Sequence, residues 1–323
     1  MKIGIIGGAG YTAGELLRLL LHHPQVEIGF VHSTSHAGHP VCEVHGGLWG
    51  DTDLCFTDKL DFAAIDLLFL CSAHGHSRTF LEEHAAELPA DLRIIDLAQD
   101  FRDETNGFVY GLPEVNRARI AGARRVANPG CFATALQLAL LPLAAAGQLK
   151  SEVHITALTG STGAGVKPGA TTHFSWRTDN LSVYKAFNHQ HLAEIGRTLH
   201  SLQPDFNPEA LNFVPMRGNF ARGIFASVYI DSDLTQEEAE KLYADFYSSA
   251  AFTHVIPAAN IDMKQVVNTA KALVAVEKHG SKLLILSTID NLLKGASGQA
   301  VQNMNIMMGF DEHAGLNLKP SAF

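Results

Sequence analysis

Two hydrophobic periodicities alternate along the first half of this chain. Short runs rich in β-formers are followed by segments whose apolar positions fall three and four apart. Lys2-Ile3-Gly4-Ile5-Ile6-Gly7 reads as a strand entering glycines directly. Gly7-Gly8-Ala9-Gly10-Tyr11-Thr12-Ala13-Gly14 then opens a helical pattern through Leu16, Leu17, Leu19 and Leu20, stopped by His22-His23-Pro24. Residues 26–32 form a second strand. Residues 65–71 are apolar almost throughout, as in a strand covered on both faces of a parallel sheet. A helix over 78–88 separates them from a strand at 93–97. Such alternation predicts βαβ units. Tyr110-Gly111-Leu112-Pro113-Glu114 reads only as a turn.

Past residue 150 the pattern changes. Residues 153–159 alternate as a half-covered antiparallel strand, and 211–216, 223–230, 272–277 and 283–289 extend one large, mainly antiparallel sheet. Thr235-Gln236-Glu237-Glu238 caps a helix to about Tyr247. A further helix runs from His191 toward Leu199, and a last one through Met304. Residues 171–180 read as a long polar loop. The predicted class is α/β, a Rossmann-type dinucleotide-binding domain plus an α+β catalytic domain. The domains are set at 1–130 with 295–323, and at 131–294.

Composition narrows the picture. At 323 residues, 46% hydrophobic and 18% charged, the chain is folded and long enough for two cores. A net charge of -9 with no Lys/Arg block argues against nucleic acid. Cys42, Cys55, Cys71 and Cys131 form no CxxC pair, which fits a reduced, cytoplasmic setting. No signal-peptide pattern opens the chain, and the apolar stretch 132–147 carries Gln137 and Pro142, so no membrane span is expected.

Three stretches carry candidate chemistry. The overlapping fingerprints Gly7-x-x-Gly10-x-x-Ala13 and Gly8-x-Gly10-x-x-Ala13 follow a strand and open a helix, the context in which a pyrophosphate sits on helix N–H groups. After the second strand, Ser33-Thr34-Ser35-His36 offers donors and no acid, which favours NADP(H) over NAD. His74 and His76 lack a third ligand nearby, so no metal is expected.

Arg125-Val126-Ala127 runs into Asn128-Pro129-Gly130 and then an apolar helix beginning at Cys131. Pro129 fixes φ and Gly130 tolerates left-handed backbone, so a sharp reversal is expected. Cys131 then lies at a helix N-terminus, where the dipole favours thiolate. Downstream, Gly160-Ser161-Thr162-Gly163-Ala164-Gly165 is a second glycine-rich loop able to present N–H groups to an anion. His191 and Glu194 share a helix face, so the carboxylate can orient the ring, and His189 stands just before. Arg177, Arg217 and Arg222 are candidates for an anionic substrate, because a guanidinium fork matches carboxylate or phosphate.

These motifs taken in order resemble the N-acetyl-gamma-glutamyl-phosphate reductases of arginine biosynthesis, within the aspartate-semialdehyde dehydrogenase-like superfamily. The resemblance covers Gly7 to Leu16, Asp96-Leu97-x-x-Asp100-Phe101-Arg102, Tyr110 to Glu114, Asn128-Pro129-Gly130-Cys131 and Gly163-Ala164-Gly165. It continues through His189-x-His191-x-x-Glu194, Arg222-Gly223 and Asp290-Asn291-Leu292-x-Lys294-Gly295-Ala296-x-Gly298. It implies that Cys131 takes the acyl group, with His191 the favoured acid/base, His189 its alternative and Glu194 in support. Cofactor contacts fall to Gly7, Gly10, Tyr11, Thr12, Ala13, Ser33, Ser35, Gly163 and Asn291. Substrate contacts fall to Arg102, Asn128, Arg177, Arg217 and Arg222. A homodimer or homotetramer is implied, with the final helix packed on the nucleotide domain.

The sequence departs from the family at Ala13, at the missing Arg beside the ribose, and in a longer segment around Arg217-Gly218-Asn219. With Phe174 to Arg177, that last change leaves N-acetyl and N-succinyl substrates both open. The rivals are an aspartate-semialdehyde dehydrogenase-type reductase and, from another class, a cysteine hydrolase.

Overall fold

Lys2–Ile6 (β1) is buried at every position but its first, because apolar side chains face both sides of the sheet that forms around it. In the computed structural model, which describes residues 1–321, β1 leads into Tyr11–Leu20 (α1), then Glu27–His32 (β2), Phe56–Thr57 (β3) and Leu67–Leu70 (β4). His76–Glu83 (α2), Arg93–Asp96 (β5), Val109–Tyr110 (β6), Pro113–Ala121 (α3) and Arg125–Ala127 (β7) follow. The strands pair in the order β3-β2-β1-β4-β5-β7-β6. Every pairing is parallel. The order reverses beside β1, so the loop after it opens on the crevice where open α/β sheets take ligands.

Two details differ from the sequence expectation. α2 ends at Glu83, not Leu88: beyond it the N–H groups of Ala85 and Glu87 reach back only three residues, to Glu82 O and His84 O, so the chain goes on in tighter turns. The Tyr110 to Glu114 segment is more than a turn: Pro113 occupies the first position of α3, where its missing N–H costs nothing.

Cys131–Ala145 (α4) opens a second unit, which holds Gly130–Gly295 and the chain from Leu318 on; the first holds Met1–Pro129 and Ala296–Asn317, so Gly295 and the residues after Asn317, set with the nucleotide domain above, group with the second unit instead. Of the C-terminal stretch 295–323 assigned above to the nucleotide domain, residues 322 and 323 lie outside the described residues. Within the second unit, Val153–Thr159 (β8), Phe174–Arg177 (α5), Ser182–Val183 (β9), His191–Leu202 (α6) and Leu211–Arg217 (β10) come next. Ile224–Asp231 (β11), Gln236–Phe246 (α7), Thr253–Val255 (β12), Ala272–His279 (β13) and Lys282–Ile289 (β14) complete it. The Thr235/Glu238 capping box at α7 is formed.

The second sheet runs β12-β13-β14-β11-β8-β10-β9. It is mixed: β8 with β10 and β12 with β13 are parallel, and the remaining pairs antiparallel. The β8-to-β10 connection contains α6, and a parallel pair needs such a crossover. α4 is buried along almost its whole length, under α6 and against β11 and β14. Where a loop was expected over 171–180, α5 supplies one helical turn.

Ser297–Met308 (α8) returns to the first unit, as the resemblance implied, and packs along α1 and α3. It is polar yet buried, so its amides must find partners. Ser297 Oγ donates to Thr12 O at 2.8 Å, and Asn303 Nδ2 donates to Gly111 O at 2.8 Å. Among the described residues no helix is long and apolar enough to cross a membrane.

Candidate active site

In the first unit the glycine turn is built from residues with separate jobs. Gly7 has φ 77°, and a Cβ there would stand 2.8 Å from the Cys71 carbonyl carbon. A Cβ on Gly8 would meet Val31 Cγ1 at 2.5 Å. Gly10 caps α1 in extended backbone and Ala13 is buried, so each fingerprint reading contains part of the geometry. The first turn of α1, with Tyr11 and Thr12, has neither a side-chain cap nor an acidic residue. Its N–H groups suit the pyrophosphate of a dinucleotide. Beyond β2, Ser35 Oγ lies 2.8 Å from His36 Nδ1 and 3.4 Å from Ser33 Oγ. That cluster holds donors and no carboxylate, which fits a ribose 2′-phosphate.

Asp96 ends β5 in full burial. Its Oδ1 accepts from Ser77 Oγ at 2.6 Å and from Ala98 N–H at 3.1 Å, and burial pushes the carboxyl up to about 6. Arg102 and Asn128, expected at the substrate, are committed to the protein. Arg102 Nε donates to Asn128 O at 2.9 Å and Nη2 to Leu97 O at 3.1 Å. Asn128 Nδ2 donates to Ala296 O at 3.0 Å, and its Oδ1 accepts from Asn303. Both fix the strand end that leads to the Asn-Pro-Gly turn.

In the second unit Cys131 is the first residue of α4, so the helix dipole acts on its thiol. Gly130 is extended (φ -72°, ψ 153°) rather than left-handed, and caps the helix. Its N–H donates to Glu194 Oε2 at 3.1 Å. The other oxygen, Oε1, stands 3.8 Å from His191 Nε2, so one carboxylate holds the Gly130–Cys131 turn and faces the imidazole. Gly295 completes the approach: a Cβ there would lie 2.8 Å from Cys131 Cβ and 2.6 Å from Asn291 O.

His189 sits just before α6 in an aromatic box. Its ring centre is 4.6 Å from His191, 5.5 Å from Phe132 and Phe213, and 5.8 Å from Tyr184. Its Nδ1 accepts the His191 N–H at 3.2 Å, which leaves the proton on Nε2. Burial first, then the Lys185 and Arg217 charges, push it down to about 4. At neutral pH His189 is an uncharged donor.

Several expected ligand contacts are spent elsewhere. Arg177 is buried, and all five guanidinium N–H donors bind Thr171 O, Asn180 O, Arg217 O and Ser182 Oγ. It clamps α5 to the end of β10. Arg222 sends Nε and Nη2 to Asp290 at 3.0 and 3.1 Å. Asn291 Oδ1 accepts Gly223 N–H at 2.7 Å while its Nδ2 donates to Thr162 Oγ1 at 3.0 Å, so it braces two turns. The glycine loop around Gly163 does not offer its amides: the N–H groups of Ser161, Thr162, Gly163 and Gly165 go to nearby carbonyls. Such competition between backbone partners leaves no trace in a one-dimensional motif.

Arg217 differs from the other two arginine candidates in turning its guanidinium to Tyr184, with which it shares a side-chain hydrogen bond. Its guanidinium carbon lies 4.7 Å over the Tyr184 ring, and its buried Nε has no hydrogen-bond partner. Sequence reasoning passed over Tyr184. Burial, then the Cys131 charge, push its phenol up to about 12, with Arg217 opposing.

Comparison with known proteins places this geometry. Residues 2–123 match the semialdehyde dehydrogenase NAD binding domain, and residues 131–291 the semialdehyde dehydrogenase dimerisation domain. The chain is thus built as a semialdehyde dehydrogenase, with a dinucleotide fold preceding a cysteine-bearing one. It is 56% identical to an N-acetyl-gamma-glutamyl-phosphate reductase of Parabacteroides distasonis, with both chains covered in full. Identity is 57% with the reductase of that name from Bacteroides thetaiotaomicron and 52% with that from Flavobacterium johnsoniae, again over whole chains. The chain belongs to the N-acetyl-gamma-glutamyl-phosphate reductase family. Among solved structures it shares the fold of aspartate semialdehyde dehydrogenase II from Vibrio cholerae (TM-score 0.74, 17% identity, 95% and 98% of the two chains covered). An aspartate semialdehyde dehydrogenase with NADP from Candida albicans gives 0.70 at 14% identity, covering 95% and 98%.

Proposed function

We propose that this protein reduces an N-acyl-glutamyl 5-phosphate to the semialdehyde with release of phosphate, using NADPH, in arginine biosynthesis. The observation that carries the reading is Cys131 at the first position of α4, with Glu194 bridging its turn to His191. The N-acetyl substrate is taken from the names of the relatives, and the altered Arg217 segment keeps N-succinyl as the second reading. Nothing here favours a cysteine hydrolase, which has no use for the glycine turn of the first unit.

The Cys131 thiolate attacks the acyl carbon, a C–S bond forms, the C–O bond to phosphate breaks, and the acyl group rests on Cys131 as a thioester. The Gly7–Ala13 turn and the Ser33/Ser35 cluster would hold NADPH, whose role when bound is to supply hydride. His191, with Glu194 as counter-charge, stabilises negative charge on the acyl oxygen and handles the proton there. His189 stays neutral and donates through Nε2–H. The protein is read as a cytoplasmic homodimer or homotetramer; the dimerisation-domain match supports the assembly, and the thiol chemistry supports a reducing compartment.

The test is the reverse reaction with NADP and phosphate, run in parallel on N-acetyl-glutamate, N-succinyl-glutamate and aspartate semialdehydes. One N-acyl-glutamate semialdehyde should be oxidised and aspartate semialdehyde should not. Cys131→Ser should lose on the order of 10⁴-fold or more of that activity while binding NADP normally. Preference for aspartate semialdehyde, or full turnover by the serine variant, refutes the reading.

A further inference from the structure

The carbonyl of Gly8, in the turn between β1 and α1, is held by a side chain from outside the glycine fingerprint. His45 Nε2 stands 2.7 Å from Gly8 O, and since a carbonyl oxygen only accepts, Nε2 carries the proton and donates. On its other edge Gly8 donates its N–H to His32 O, at the end of β2, at 2.9 Å. One polar edge of this glycine is thus held by the sheet and the other by the imidazole. A trans peptide sets N–H opposite C=O, so the Ala9 N–H is turned away from His45. It takes no backbone acceptor among the described residues.

The ring has a prepared seat. Its segment is anchored by buried Val41, Cys42 and Leu48, with the Val41 N–H on Leu54 O and the His45 N–H on Val41 O, both at 2.9 Å. Phe56, buried in β3, stands 6.2 Å from the imidazole, centre to centre. On the helix side the space comes from Gly14: a Cβ there would lie 2.6 Å from His45 Nδ1 and 2.9 Å from its Cε1. The ring cannot back away from such a group without giving up Gly8 O. Only proline is worse than glycine inside a helix, and Gly14 lies within α1 with no positive φ to require it. Clearance for the imidazole is the physical reason for glycine at this position.

We infer that His45 is a positioning residue for NADPH: it fixes the Gly8–Ala9 peptide, so that the glycine turn meets the cofactor's pyrophosphate already shaped, and Gly14 gives it room to do so. Without the imidazole, Gly8 O loses its donor and the peptide gains freedom to rotate. Ordering it again then falls on the binding of the cofactor and weakens it. The effect belongs to the pyrophosphate and not to the 2′-phosphate cluster, because Ser33 and Ser35 are held by their own bonds to each other and to His36. This assignment rests on the glycine turn being the cofactor site proposed above.

The test compares two ligands on the full chain: NADPH, by fluorescence titration, and adenosine 2′-phosphate, by displacement of NADPH. The second carries the adenine and 2′-phosphate of the cofactor but no pyrophosphate. His45→Ala should weaken NADPH about tenfold, the loss of one hydrogen bond, and leave adenosine 2′-phosphate within about threefold. His45→Gln, whose amide still donates to Gly8 O, should bring NADPH back to within about threefold of the wild type. Gly14→Ala should weaken NADPH as His45→Ala does, and the double variant should lose no more than either alone. In the free protein Gly14→Ala should lower the thermal midpoint when His45 is present. It should raise it in the His45→Ala background, where the better helix propensity of alanine acts unopposed. Unchanged NADPH affinity in His45→Ala, an equal loss for both ligands, or additive losses in the double variant overturns the inference. Should His45→Ala fail to fold, Gly14→Ala carries the same comparison of the two ligands. A wild type that binds no NADPH strikes instead at the cofactor reading.

Discussion

Cys131, His189 and His191 sit in three different environments. Cys131 gains the dipole of α4, His191 gains the Glu194 carboxylate 3.8 Å away, and His189 is boxed by rings and two cations. That separates two histidines which sequence spacing left as alternatives: one faces a counter-charge and the other is kept neutral. The folded-state value of His189 is about 4 against an ordinary 6.5, so the unfolded chain takes up this proton first. Its contribution to stability is present above pH 6.5 and is lost as pH falls through 4. Thermal unfolding midpoints should therefore drop between pH 7 and 4. His189→Asn, whose amide oxygen still accepts the His191 N–H, should drop less; equal slopes would remove His189 as the cause. The residue types of this set were legible in sequence because nucleophile, base and carboxylate each carry local signals. Tyr184 and its pairing with Arg217 were not, since the pair exists only once the fold brings the two side chains together.

Elements place these groups through close packing that tolerates little added bulk. The Asp290–Gly295 segment is drawn in by Asp290, which accepts the N–H groups of Asn268, Leu292 and Leu293 as well as Arg222. Gly295 then passes Cys131 where a methyl group would stand 2.8 Å from its Cβ. Gly295→Ala should leave circular dichroism and NADP binding intact and lower kcat by about 10²-fold, the cost of moving a reacting atom by roughly 1 Å. Unchanged kcat would mean the nucleophile's placement is set elsewhere. Strands and helices with strong periodicity, such as β1, β4, β8 and α4, were readable from pattern alone. The two-residue strands β3, β6 and β9 were not, because so few positions show no period. Arg222 and Asn291 sit in recognisable motifs, yet their jobs as braces follow from Asp290, Gly223 and Thr162, which only the fold brings to them.

Across the whole molecule, the change from βαβ alternation to alternating strands near residue 150 marks the two architectures in the sequence itself. It could not show the parallel β8/β10 pair, which depends on the route of the chain through α6. Large apolar side chains stay exposed on the second unit, with Phe174 79%, Phe187 63% and Trp176 50% accessible. Exposed aromatics in one stretch suit an interface between copies, as the dimerisation-domain match suggests. Light scattering on the eluting protein should give two or four times the chain mass; a single-chain mass at micromolar concentration would contradict that assembly.

The claim on which everything else depends is that Cys131 carries the acyl group between phosphate and hydride. Intact-protein mass spectrometry of the enzyme mixed with N-acyl-glutamyl phosphate, without NADPH, tests it most directly. One acyl increment per chain should appear, mapped to Cys131, sensitive to hydroxylamine, absent from Cys131→Ser and formed together with free phosphate. Phosphate release by an unmodified protein, or an acyl increment on any other residue, would contradict it.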